Sequence, residues 1–139
     1  MNDAKKRRIA TIGGDGIIRF EEQDTPPVKH GTILVEVHSS LVSPGSEVGG
    51  WRGLLSQRNT PNHDRKPKPF GYSNSGIVRQ VGVGVNEFKV GDRVCCMGGG
   101  YASHTNFAVV PHHLCVHLPR EVTFAQGTYG HLAATALHA

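Results

Sequence analysis

Glycine and proline punctuate this sequence so densely that long regular elements are excluded. Eighteen glycines and eight prolines divide the 139 residues into short segments. Both residues interrupt helices and mark turns, so the pattern reads as a turn-rich β protein and not as a helical bundle or coiled coil. The segments Ile9–Ile12 and Ile17–Phe20 flank Gly13-Gly14-Asp15-Gly16, which predicts a hairpin with a glycine-rich turn closed off by Pro26-Pro27. Thr32–Ser39 is β-branched and alternates in its second half, as a strand with one buried face does. Further strands are predicted at Ser75–Val81, after the tight turn Phe88–Val94, at Phe107–Pro111 and at Leu114–Leu118. Ser43-Pro44-Gly45-Ser46-Glu47 is a turn that starts a short helical stretch reaching Leu55, and residues 59–69, polar, basic and aperiodic, predict a disordered surface loop.

The two ends differ in kind. Residues 1–8 form a basic tail with no apolar run behind it, so a secretory signal is not expected. At the other end Thr123-Phe124-Ala125-Gln126 has capping-box spacing, so a helix is predicted to start there and to run through Leu132 to His138. It carries no stop signal before Ala139, which implies a piece of a longer domain arrangement. The formal charge of +4 is spread over stretches without interleaved aromatics, so nucleic acid is not an expected partner. No apolar run approaches a membrane span of about 20 residues. Three cysteines, two of them adjacent, make no disulfide framework and suit a reducing cytoplasm.

From the centre of the chain onward the order of motifs resembles the medium-chain dehydrogenase/reductase superfamily, specifically its N-terminal GroES-like catalytic domain. The residues that carry the resemblance are Gly71–Gly82, Val85–Val94 with its F-x-V-G-D-R-V turn, Tyr101–Pro111, Leu118–Phe124 and the closing Thr135–Ala139. The resemblance implies a mainly β fold, a partly open GroES-like β-barrel over residues 9–122 with short helices. It also implies that residues 123–139 begin the helix leading into a Rossmann domain absent from this sequence. NAD or NADP would be bound by that missing domain, the substrate would be a small molecule, and the assembly a homo-oligomer. A stand-alone barrel that binds a ligand or partner without catalysis is the alternative.

Departures from the family pattern are as informative. Zinc-dependent members hold a catalytic metal on a Cys, a His and a third ligand near the interdomain helix. By register these positions fall here at Ser43, Tyr72 and His131, and Zn²⁺ needs three protein ligands and an open site. No zinc is therefore expected, and the S-P-G-S-E turn resembles the S-P-G-T-E motif of metal-independent members. His113, Cys115 and His117 would share one face of a predicted strand, a weak metal signal read more simply as a strand edge. Gly82-Val83-Gly84 and Gly98-Gly99-Gly100 lack the strand–turn–helix context of a dinucleotide fingerprint and read as turns.

The resemblance implies hydride transfer between a nicotinamide and a carbonyl, alcohol or activated alkene. Charge left on oxygen then needs hydrogen-bond donors or a positioned acid. Candidate catalytic residues are Tyr72, Ser46, Ser43 and Glu47; candidate substrate contacts are Ser73, Tyr101 and His131. Each has a structural reading as well. Ser43 and Ser46 could cap the helix after Pro44, Glu47 could complement its dipole, Tyr72 could be a half-buried aromatic, and His131 a surface residue. Trp51 and Phe70 read as packing residues.

Overall fold

The structure, a computed structural model, describes residues 6–56 and 64–138. Most of the expected basic tail, the loop positions 57–63 and Ala139 lie outside the described residues. The described chain is mainly β, with strands β1 (Lys6–Ile12), β2 (Ile18–Asp24), β3 (Thr32–Ser40), β4 (Lys68–Pro69), β5 (Ser73–Val81), β6 (Arg93–Met97), β7 (Phe107–Pro111) and β8 (Cys115–His117). Helix α1 (Ser46–Leu55) follows β3, and α2 (Phe124–Gly127) and α3 (Gly130–Leu137) end the chain. None of these helices is long and apolar enough to cross a membrane.

The strands form two sheets, ordered β2-β1-β4 and β7-β3-β5-β6-β8, with antiparallel pairing throughout. Neither closes on itself, so the barrel is open. The larger sheet carries the core: Ile33, Val35, Val78, Val94 and Val110 are fully enclosed. Their β-branched shapes suit a pleated surface packed on one face. In its pairing with β5, β3 slips register twice, at Leu34/Val35 and at Val37/Ser39. Such bulges sharpen twist and bend the strand, which curls the sheet over the core. At the second slip Gly76 sits flush against Glu36, and a Cβ there would overlap the Glu36 carbonyl.

A backbone seam joins the two sheets. Ala10 N–H donates to the His104 carbonyl at 2.8 Å, His104 N–H to Phe70 at 2.8 Å, and Phe70 N–H back to Ala10 at 2.9 Å. Arg8 and Asn106 extend it, the Asn106 side chain accepting from Arg8 N–H at 2.8 Å, and Ile9 and Thr105 form an isolated bridge. Strand β1 begins at Lys6, three residues earlier than the hairpin pattern alone indicates, because its ladder with β2 runs on to Asp24. Its basic residues are strand residues paired with Asp24, Gln23 and Glu22.

Two local expectations are corrected. The Thr123–Gln126 capping box is present, but the helix it opens lasts four residues and restarts at Gly130. Strand β5 also bonds to carbonyls there: Ser73 Oγ donates to Thr128 O at 2.7 Å and Ser75 Oγ to Phe124 O at 2.6 Å. Gly130 and Gly127 let the chain press onto Cys95 and Leu118, where a Cβ would collide. His112–Leu114 is a single 3-10 turn, so His113 does not alternate with Cys115 and His117 on one strand. Cys115 is instead buried, its thiol 3.5 Å from that of Cys96.

Gly76→Ala tests the curl of the sheet. It should lower stability by about 1–3 kcal/mol or more through overpacking against fixed backbone, read as a fall in the urea midpoint.

Candidate active site

The turn between β3 and α1 folds back on itself. Ser43 carbonyl accepts from Glu47 N–H at 3.1 Å and from Val48 N–H at 3.2 Å. The Glu47 side chain returns the contact, its Oε2 accepting from Ser43 N–H at 2.6 Å. Ser43 Oγ lies 3.4 Å from Ser46 N, so this hydroxyl serves the helix start. Glu47 goes well beyond complementing a dipole. Its side chain is 5% exposed and meets His104, itself 11% exposed, with Oε1 at 3.1 Å from Nε2. On the other side of the ring His104 Nδ1 is 2.8 Å from Ser40 Oγ.

His104 is held in that position from several directions. Its backbone lies in the seam, its ring tilts against Phe70 at 5.3 Å, and Gly71 abuts both. Gly71 has φ +105°, and any Cβ there would strike the His104 nitrogen and ring. Glycine is required by conformation and by space.

Tyr72 follows directly, and its ring meets that of His131 edge-on at 5.2 Å. Two cavities share Ser46, Tyr72 and Gly99 as a common wall. One, of about 460 Å³, adds Glu47, Trp51 and Arg65. The other, of about 350 Å³, adds Met97, Leu114 and His131. Together they make a cleft in which hydroxyl, carboxylate and imidazole groups converge. A third, mostly apolar groove of about 710 Å³ is bordered by His104, Ser40 and Phe70.

Of the residues singled out from the sequence, Tyr72, Ser46, Glu47 and His131 are thus gathered around one cleft. Ser43 is buried behind it. Ser73 is also buried and its hydroxyl is committed to Thr128. Tyr101 is 46% exposed and lines neither cavity. Trp51 donates its Nε1–H to Gly16 O at 2.9 Å, tying α1 to the hairpin turn while one side faces the cleft. His104 escaped the sequence reading, because nothing in a loop residue 57 positions from Glu47 signals the pairing.

The donor set at the three zinc-equivalent positions does not fit zinc. It comprises a serine hydroxyl already engaged with Ser46 N–H, a phenol and a single imidazole. Zn²⁺ is held by thiolates, imidazoles and carboxylates. Among the described residues no three His, Cys, Asp or Glu side chains form a metal-binding group. Both glycine runs are turns. Gly98 carbonyl accepts from Tyr101 and Ala102 N–H, and Gly82 N–H donates to Thr32; neither run opens a helix.

Comparison with known proteins matches residues 29–120 to the model of the alcohol dehydrogenase GroES-like domain. Quinone oxidoreductase of Rattus norvegicus is 30% identical over 127 residues, covering 86% of this chain and 35% of that protein. A trans-enoyl reductase of Gibberella fujikuroi is 41% identical over 63 residues, covering 41% of this chain and 18% of that protein. The chain thus spans about a third of the length of the quinone oxidoreductase it matches. Among solved structures, an Escherichia coli oxidoreductase/dehydrogenase of unknown specificity superposes with a TM-score of 0.79 at 22% identity, over 96% of this chain and 46% of that one. Quinone oxidoreductase of Coxiella burnetii gives 0.74 at 19% identity, over 96% and 45%. At such identities the structures speak for the fold.

Glu47→Ala should cost about 1–3 kcal/mol, because it strands the buried Ser43 N–H without an acceptor. Glu47→Gln keeps an acceptor and should cost less. Paired urea titrations of the two variants check this.

Proposed function

The chain belongs to the family of alcohol dehydrogenase GroES-like domains, and from that premise we propose that it forms the substrate side of a zinc-independent, NAD- or NADP-dependent oxidoreductase. The observation that carries this reading is the cleft itself. Where zinc-dependent relatives place metal ligands, this chain has Ser43, buried behind the cleft with its hydroxyl on the helix start, and Tyr72, which lines the cleft with Ser46 and the buried carboxylate of Glu47. The names of the relatives favour an acceptor conjugated to a carbonyl, of quinone or enoyl type.

A nicotinamide on a dinucleotide-binding domain would supply the hydride. The residues here do the rest. Hydride addition to a conjugated acceptor drives electrons onto its oxygen, and without a metal ion that charge is met by preorganised donors. Tyr72 O–H is the donor on the shared wall of the two cavities, with Ser46 O–H next to it and His131 orienting the Tyr72 ring edge-on. Trp51 and Leu54 supply an apolar wall that excludes water from the acceptor's carbon skeleton.

The same reading places the protein in the cytoplasm, working as a homo-oligomer on a small molecule. In α3, Leu132 is 39% and Leu137 is 85% exposed. Apolar surface of this kind favours association. Sedimentation velocity should show self-association of the chain that the double substitution Leu132→Glu, Leu137→Lys reduces; identical profiles would remove this part of the proposal.

The catalytic reading is tested in the full-length protein with NADH or NADPH and, as acceptors, 1,4-naphthoquinone and a trans-2-enoyl thioester. Tyr72→Phe should lower kcat by about 10²-fold, the usual effect of losing one oxyanion donor, with KM little changed. Wild-type rates in that variant would overturn the assignment. The 139-residue chain alone should bind neither nucleotide in a fluorescence titration.

A further inference from the structure

The contacts of Glu47 run through His104 to a second face of the protein. Glu47 lines the 460 Å³ cleft with Tyr72 and Ser46. Its Oε1 lies 3.1 Å from His104 Nε2, and His104 Nδ1 lies 2.8 Å from Ser40 Oγ. Ser40 and His104 in turn line the 710 Å³ groove, which is open to solvent. Both ring nitrogens are therefore engaged, one toward each cavity. A merely structural histidine needs only one of those bonds to be fixed.

We propose that Ser40, His104 and Glu47 form a proton relay that carries protons from the groove to the cleft while substrate covers it. The relay rests on the reductase reading above, since reduction consumes one proton per hydride. The starting arrangement has Glu47 ionised, His104 Nε2–H donating to it, and Ser40 O–H donating to Nδ1. When charge develops on the acceptor's oxygen, Nε2–H passes its proton to Glu47 Oε1, and the resulting carboxylic acid gives one proton to the acceptor. Ser40 O–H passes its proton to Nδ1 and takes another from groove water, so one proton enters for each that leaves. After product departs, cleft water returns a proton to Nε2 through Glu47 and Nδ1 releases its own through Ser40. That restores the starting tautomer.

The surroundings suit this traffic. The ionisable side chains on the groove wall besides His104 are Arg8 and His38, and on the cleft wall Arg65, Tyr72 and His131 accompany Glu47. The Phe70 ring and the bare Gly71 leave the imidazole no other hydrogen-bonding direction. The three residues lie on different elements, β3, α1 and the loop before β7, and the seam fixes their spacing. His104 and Ser40 are thus positioning residues that act through Glu47.

The proton path is read directly by ¹⁵N NMR of the histidine-labelled chain, with no substrate or cofactor present. The expected spectrum shows His104 as the Nε2–H tautomer, and exchange of that proton with water should slow about tenfold in Ser40→Ala, one factor of ten in barrier crossing. Ser40→Thr, which keeps the hydroxyl, should restore it. Equal exchange in Ser40→Ala, equal slowing in both variants, or an Nδ1–H tautomer would overturn the relay. In the reductase assay Ser40→Ala should lower kcat with KM held, and Ser40→Thr should recover it. A protein that shows the exchange effect but reduces neither acceptor refutes the reductase reading and leaves the proton path standing.

Discussion

A carboxylate buried beneath the first turn of a helix must be met by donors, or folding would leave it stranded at a cost of several kcal/mol. Glu47 is met twice, by the Ser43 backbone N–H at 2.6 Å and by His104 Nε2 at 3.1 Å. The first contact fixes the turn that starts α1. The second reaches across the fold and fixes where the loop before β7 lies against that helix. Because His104 also takes part in the seam with Phe70 and Ala10, the small sheet, the large sheet and α1 share one anchoring point. The cleft and the groove are the two spaces left on either side of it.

Glycine makes that anchoring point possible, and in a way that a count of glycines does not convey. Gly71 admits the His104 backbone and ring, Gly76 admits the Glu36 carbonyl, and Gly130 admits the Cys95 thiol. In each case a missing side chain allows two backbones, or a backbone and a core side chain, to come closer than any other residue permits. The punctuation that excludes long elements is thus also what packs the short ones together.

Most strand segments were legible because β-branched runs bounded by Gly and Pro have a single economical reading, although β4 falls in the stretch expected to be a loop; the Thr123–Gln126 box was legible because capping chemistry is local. The S-P-G-S-E helix start was legible for the same reason. What could not be read is whatever depends on a partner far along the chain. Ser73 and Ser75 look like ordinary strand residues, yet their hydroxyls donate to the Thr128 and Phe124 carbonyls beside the break between α2 and α3. His112–Leu114 turns because its backbone meets Gly31, His112 N–H donating to that carbonyl at 2.9 Å. At the candidate site Tyr72, Ser46 and Glu47 could be picked out, since register with a familiar motif order placed them. His104 could not, because pairing across two sheets leaves no trace in a single loop.

On the proposed reading, hydroxyls at the positions of the relatives' metal ligands account for the polar structure gathered at this spot. A zinc ion stabilises developing negative charge by itself and needs little from its neighbours beyond orientation. A phenol and a serine hydroxyl are weaker donors, and each must be held ready before charge develops. Tyr72 is held by the Gly71 turn, by its carbonyl accepting from Gly98 N–H at 2.9 Å, and by the edge of His131. The proton that a metal-bound water could have supplied must then arrive by another route. A carboxylate with a histidine behind it is chemistry able to deliver one, since a neutral imidazole can give up a proton at one ring nitrogen while taking one at the other. In the proposed site a metal-free cleft and the buried Glu–His pair belong together, and the seam that fixes His104 is the structural condition for the pair.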